Sequence, residues 1–231
     1  MNRTLNVVRM QLVNRQTFIW VPLIVLGGSL VISIAIWVIL NQAGVTANMY
    51  GGGAQAPLWY FGVVGVQAMT LTFPFSQAMS LSRREFYLGT LLTAALTSGI
   101  LAVVFVIGGL IEIATNGWGI GGYFFALDWL WTAGALGAGV FFFVTAMFAF
   151  VIGFWLTTIY KRFGNLWLTV VIVGIALVLL AVIWAITAAQ SWPQVATAIV
   201  EGGVGGLTAV LGLLTVVMAA ISYPTLRRAV P

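Results

Sequence analysis

Cysteine and histidine are both missing from the 231 residues of this chain. Their absence removes disulfides, thiolate nucleophiles, Cys/His zinc sites and histidine proton relays from the chemistry the chain can perform alone. Charge is scarce as well, at 6% of residues, with Lys161 the only lysine and Asp128 the only aspartate. A phosphate-binding loop has the pattern GxxxxGK[ST], and Lys161 sits in Tyr160-Lys161-Arg162 without that glycine spacing. The chain therefore cannot hydrolyse ATP by itself. An intramembrane protease would need a serine with a histidine, or two embedded aspartates, and neither set can be assembled. No catalytic, cofactor or metal residue is expected.

What the chain has in abundance is apolar surface: 62% hydrophobic residues and a mean hydropathy of +1.13, against roughly a quarter charged residues in a soluble domain. This pattern specifies an all-α integral membrane protein, one transmembrane domain over 1–231, with room for about six helices of 20 to 25 residues and no soluble domain. The net charge of +5 does not point to nucleic acid. The nine cations fall in four clusters between apolar runs, where they act as topology signals, and form no basic stripe.

Residues 1–17 are polar with interspersed apolar positions, and Leu5, Val8 and Leu12 share a helical face. Arg3, Arg9 and Arg15, six residues apart, spread around that helix and can snorkel to headgroups, so an interfacial helix is expected. Spans are expected at 18–40, 58–79, 87–111, 129–158, 166–188 and 204–223. The first is too long for a signal-peptide core. Pro74 should kink the second unless neighbouring groups re-satisfy the carbonyl it frees. Asp128 is placed to cap the fourth, which is long enough to need tilt or a kink. Residues 160–165 read as a tight turn, and Ser191-Trp192-Pro193 starts a short helix, too short to cross a bilayer, in the outer interface or re-entrant before span six, which ends at Pro224. Every Lys and Arg then falls on one side, with Glu112, Asp128 and Glu201 on the other, so the positive-inside rule places both termini in the cytoplasm.

No span carries an ionisable group at its centre, where a charge costs about 2.5 to 3.5 kcal/mol and persists mainly where it is used. Ion-driven transport by this chain is therefore disfavoured. Small residues are plentiful in span two (Gly62, Gly65), span four (Gly134, Gly137, Gly139) and span six (Gly205, Gly206, Gly212), and mark faces where helices approach closely. Gln67, Thr70, Ser76 and Gln77 in span two offer a polar translocation surface, although hydroxyls and amides equally serve as interhelical glue.

Between spans two and three stands a charged island, Leu81 to Thr90, LSRREFYLGT. Ser82 and Glu85 form a capping-box pattern, and Leu81 with Phe86 can supply the hydrophobic staple, so a helix starts at about Ser82. Arg83 and Arg84 then occupy the first turn, where the helix dipole prefers anions, at roughly 0.3 to 1 kcal/mol each. Capping does not account for them; cytoplasmic retention or an acidic partner would.

The layout resembles the permease subunits of ABC exporters of the ABC-2 type, especially those of Gram-positive bacteria. The likeness covers nearly the whole chain as architecture, and as sequence it rests on Phe73 to Thr90, FPFSQAMSLSRREFYLGT, similar to that family's proline-containing span and coupling loop. The resemblance implies a subunit of the bacterial cytoplasmic membrane that works as an exporter with a second permease subunit, copy or paralogue, and a separate ATPase subunit in two copies, which holds the ATP and Mg. It implies that the loop 81–87, through Ser82, Arg83, Arg84, Glu85 and Phe86, contacts that ATPase, with Arg3, Arg9 and Arg15 on the supporting helix. Without the resemblance, a non-transporting scaffold or immunity protein and a passive channel stand as alternatives.

Overall fold

The computed structural model describes residues 3–45 and 47–229. Met1 and Asn2 of the expected interfacial segment, the side chain of Arg3, Thr46, and Val230 and Pro231 at the end of the expected domain lie outside the described residues. Among the described residues, six helices are long and apolar enough to cross a membrane, and the chain is a helical, multi-pass membrane protein.

Helix α1 covers Arg3–Val13. A π-helical turn at Gln16–Trp20 leads into α2, Val21–Gln42. The second span is α3, Gln55–Gln67, and α4, Phe73–Ala78, joined by a π-helical turn at Ala68–Thr72. That turn lies directly ahead of Pro74: widening the ladder carries the helix past the missing N–H, so the expected kink becomes a local bulge. The Thr72 hydroxyl donates to the Ala68 carbonyl at 2.6 Å within the same turn. The third span is α5, Arg83–Ala114, one continuous helix of 32 residues.

The fourth span is divided. A short α6, Asp128–Trp131, precedes α7, Gly134–Phe163. The break at residues 132–133 supplies the bend the length demanded. Asp128 is not an N-cap, contrary to expectation; Leu127 holds that position, and the Asp128 carboxylate accepts from the Tyr50 hydroxyl. The expected turn at 160–165 shrinks to one residue, because Tyr160, Lys161 and Arg162 are still helical and Gly164, at φ 85°, connects α7 to α8, Asn165–Ala188. A side chain there would be strained. Helix α9 spans Trp192–Leu226, bent at Gly203 (φ 52°, ψ −154°) between the short segment and the sixth span, and it runs through Pro224 rather than stopping there.

Helix α7 is the hub, packed against α3, α5 and α9. Its closest approach is to α3, where a Cβ on Gly153 would come 1.9 Å from the Gly62 carbonyl oxygen and one on Gly65 would come 2.1 Å from that of Phe150. Phe61, Val64, Phe150 and Phe154 fill the seam on either side and are fully buried. Glycines of the other expected faces behave differently: Gly134 opens α7 at φ 72°, and Gly205 and Gly206 meet nothing within 4 Å. No side chain of α8 is buried within the chain. Helix α1 lies across α5 with Val7, Val8 and Gln11 inward, while Leu5 is 47% exposed. Its buried face is thus rotated from the expected one, because Gly89 on α5 receives Val7 and Thr4 and Gln11 reaches Thr90 at 2.8 Å.

The ends of the bundle differ in charge. At one end a short parallel ladder pairs β1, Met49–Tyr50, with β2, Gly122–Tyr123, a minor exception to the all-α expectation. Here lie Glu112 and Asp128. Tyr50 stacks on Tyr123 at 5.7 Å, and its hydrogen bond to the Asp128 carboxylate raises its phenol pKa above the ordinary 10.0. A raised acid pKa contributes stability that is fully present below the unfolded value and is lost as pH rises through the folded one. The ladder is therefore expected to loosen above about pH 10, read as alkaline exposure of residues 47–54 to protease. Tyr50→Phe should lack that alkaline step; an unchanged step would remove the role of the Tyr50–Asp128 bond.

Candidate functional site at the basic end of the bundle

The opposite end collects Arg83, Arg84, Arg162, Arg227 and Arg228, drawn from α5, α7 and the residues after α9. The connection from α4 to α5 is short, and Ser82 ends it in extended geometry (φ −68°, ψ 149°) as the N-cap of α5. The capping box is complete: Ser82 Oγ accepts from Glu85 N–H at 3.2 Å, and the Glu85 carboxylate accepts from Ser82 N–H at 2.9 Å. Such a cap contributes about 1 kcal/mol and leaves the first turn rigid.

Arg83 is not a free surface charge. Its guanidinium donates to the carbonyl oxygens of Leu226, at 3.4 Å, and of Arg227. These are carbonyls at the C-terminal end of α9, where a helix is partially negative. The cation that α5 disfavours in its first turn is the one that α9 favours after its last, which accounts for Arg83 where capping could not. Arg84 remains exposed, beside Tyr87, Leu88 and Tyr223.

Phe86 requires a correction as a contact residue. It is fully buried, with its ring 5.2 Å from Phe73, and so anchors the start of α5 to the second span. Of the five island residues, Ser82 and Arg84 are exposed, Arg83 and Glu85 half-buried and Phe86 inside. Among the supporting arginines, Arg9 and Arg15 are exposed. Helix α1 meets α5 at the last two residues of the island, through Val7 at Gly89 and Gln11 at Thr90.

The second-span polar residues make local hydrogen bonds within the chain. Thr70 Oγ1 donates to the Val66 carbonyl at 3.0 Å and Ser76 Oγ to that of Phe73 at 2.7 Å. Gln77 Nε2 reaches the Leu81 carbonyl at 3.2 Å, closing the turn into the island, and Gln67 is half-buried. Hydroxyls bonded to their own helix backbone are occupied and present little to a substrate.

Two polar residues were not singled out as sites from the sequence. Gln11 is fully buried between α1 and α5, an amide on a helix whose other inward side chains are apolar. Glu112 is also fully buried, and its carboxylate gathers four donors: Trp118 Nε1–H at 2.7 Å and the backbone N–H groups of Phe124, Phe125 and Ala126 at 2.8, 2.7 and 2.8 Å. It thereby ties the 115–127 segment to the end of α5. A lone acid at the edge of an apolar run, followed by a glycine- and aromatic-rich segment, is the signal that could have identified it.

Comparison with family models, with curated proteins and with solved structures returned no match.

Proposed function

We propose that this chain is the membrane-spanning subunit of an ATP-driven exporter, pairing with a second permease subunit and driven by a separate ATPase. The sequence contains no phosphate-binding loop and no ionisable group at the centre of a span, which favours a partner as the source of energy. The observation that carries the proposal is mechanical. Ser82 to Glu85 form the N-cap and first turn of a 32-residue helix, locked by a complete capping box and bonded through Arg83 to the end of α9. A displacement applied at Ser82 to Glu85 passes to two membrane helices together, as a coupling element requires. Under this reading the basic end faces the cytoplasm, in accord with the positive-inside rule, and α1 braces the island from the side.

The test is Arg84→Glu, since Arg84 is exposed and makes no hydrogen bond among the described residues, whereas Arg83 does. Wild-type chain, tagged and gently solubilised from its native membrane, should bring down an ATPase. Arg84→Glu should leave expression and membrane insertion unchanged while lowering ATPase recovery at least about tenfold, the scale on which reversing one charge affects a complementary interface. A chain that purifies without an ATPase would favour the scaffold reading. One that conducts when reconstituted alone would favour the channel.

A further inference from the structure

At the basic end, Arg162, Arg227, Arg228 and Pro224 line a cleft of about 410 Å³ between the ends of α7 and α9, within the size range of small-ligand sites. The guanidinium of Arg162 lies over the Phe163 ring at 4.3 Å and that of Arg227 over Tyr223 at 5.9 Å. The aromatic faces hold the two cations without neutralising them. None of the four side-chain carboxylates lines this cleft. Glu112 and Asp128 are bonded at the opposite end, Glu85 closes the capping box, and Glu201 precedes the Gly203 bend at the far part of α9.

Directly beside this cleft is an apolar groove between α7, α8 and α9, floored by Ile159, Phe163, Trp167, Val171 and Ile221. The two cavities adjoin at successive residues: Arg162 and Pro224 line one, Phe163 and Thr225 the other. The groove opens along α8, which buries no side chain within the chain. A soluble anion or an acidic protein surface would use the arginines and leave the groove empty. A molecule with an anionic head and a hydrocarbon chain uses both.

We infer that Arg162, Arg227 and Arg228 hold the phosphate of an anionic phospholipid, with one acyl chain in the α7–α8–α9 groove. Guanidinium groups suit this task because their planar forks donate to phosphate oxygens in pairs, and basic pockets between membrane helices recognise such headgroups. The inference stands apart from the exporter reading, since it requires neither an ATPase nor transport.

The experiment uses the purified full chain in neutral detergent with phosphatidylglycerol or phosphatidylcholine added, read by native mass spectrometry for retained lipid and by thermal midpoint. Each surface cation favours an anionic lipid about five-fold, so three predict a preference for phosphatidylglycerol on the order of a hundredfold at low salt. The triple variant R162Q/R227Q/R228Q should erase that preference. Val171→Trp, which fills the groove from the exposed helix and leaves the arginines in place, should reduce phosphatidylglycerol retention several-fold, guarding against a triple variant that simply misfolds. Equal retention of both lipids by the wild-type chain, or a preference that survives the triple variant, would overturn the inference. So would displacement of phosphatidylglycerol by equimolar inorganic phosphate or glycerol phosphate, which would mark a site for free anions.

Discussion

Replacing Glu112 by alanine is expected to release the whole 115–127 segment from the bundle and to cost several kcal/mol. The carboxylate is the shared acceptor for four N–H groups, three of them on consecutive backbone residues, Phe124 to Ala126. Each buried donor left without a partner costs about 1 to 3 kcal/mol. Even if water reaches half of them, the loss is about 2 to 6 kcal/mol. Glu112→Gln separates charge from shape. An amide has one accepting oxygen, and its NH₂ would face two of the donors, so it should recover less than half the loss. The released segment carries Gly122 and Tyr123 of the ladder and Phe125, whose ring packs 5.2 Å from Phe105, so the damage should spread to the adjoining end of α5. Thermal unfolding in detergent, with limited proteolysis mapped to 115–127, reads both effects. A Glu112→Ala chain that melts with the wild type and keeps the segment protected would show that the cluster is dispensable.

The second large effect is expected at Gly153. Any side chain there must push α7 from α3, because its Cβ would lie 1.9 Å from the Gly62 carbonyl oxygen, and no flexible side chain stands in between to yield. An ordinary carbon–oxygen approach is about 3.3 Å, so the helices would have to part by more than an ångström along a seam that buries Phe61, Val64, Phe150 and Phe154. Alanine should cost about 1 to 3 kcal/mol as overpacking. Leucine should prevent the bundle from closing, since α7 is the helix on which α3, α5 and α9 all pack. Gly205→Ala and Gly206→Ala, at glycines with open space around them, should leave the purified chain intact. Monodispersity after detergent extraction distinguishes the two classes. Gly153→Leu behaving like Gly206→Ala would mean that the close crossing is not needed for folding.

The two predictions separate what was readable along the chain from what was not. Membrane spans are legible because crossing a hydrocarbon layer demands about twenty apolar residues in succession, a local property. The capping box at Ser82 and Glu85 is legible for the same reason, since its partners stand three positions apart. A π-helical turn in place of a kink before Pro74 was half legible: proline announces a lost hydrogen bond without saying how the backbone will absorb it. The polar residues of span two illustrate the limit. Thr70 and Ser76 donate to carbonyls of their own helix, a choice of rotamer that no spacing encodes.

The sequence alone determined the solvent of this protein, the approximate extent of its spans, the excess of cations at one side and the capping box that opens α5, because each follows from composition or from neighbours within a turn. Only the tertiary structure decided that Arg83 serves the end of α9, that Glu112 gathers the 115–127 backbone, that Gly153 rather than Gly205 is the point of closest approach, and that three arginines share one cleft beside an apolar groove. Each of these needs a partner brought in by helix packing, from as far as 144 residues away for Arg83 and Arg227. A hydrogen bond or a backbone contact of a few ångströms is set by geometry that the chain acquires only when its helices meet.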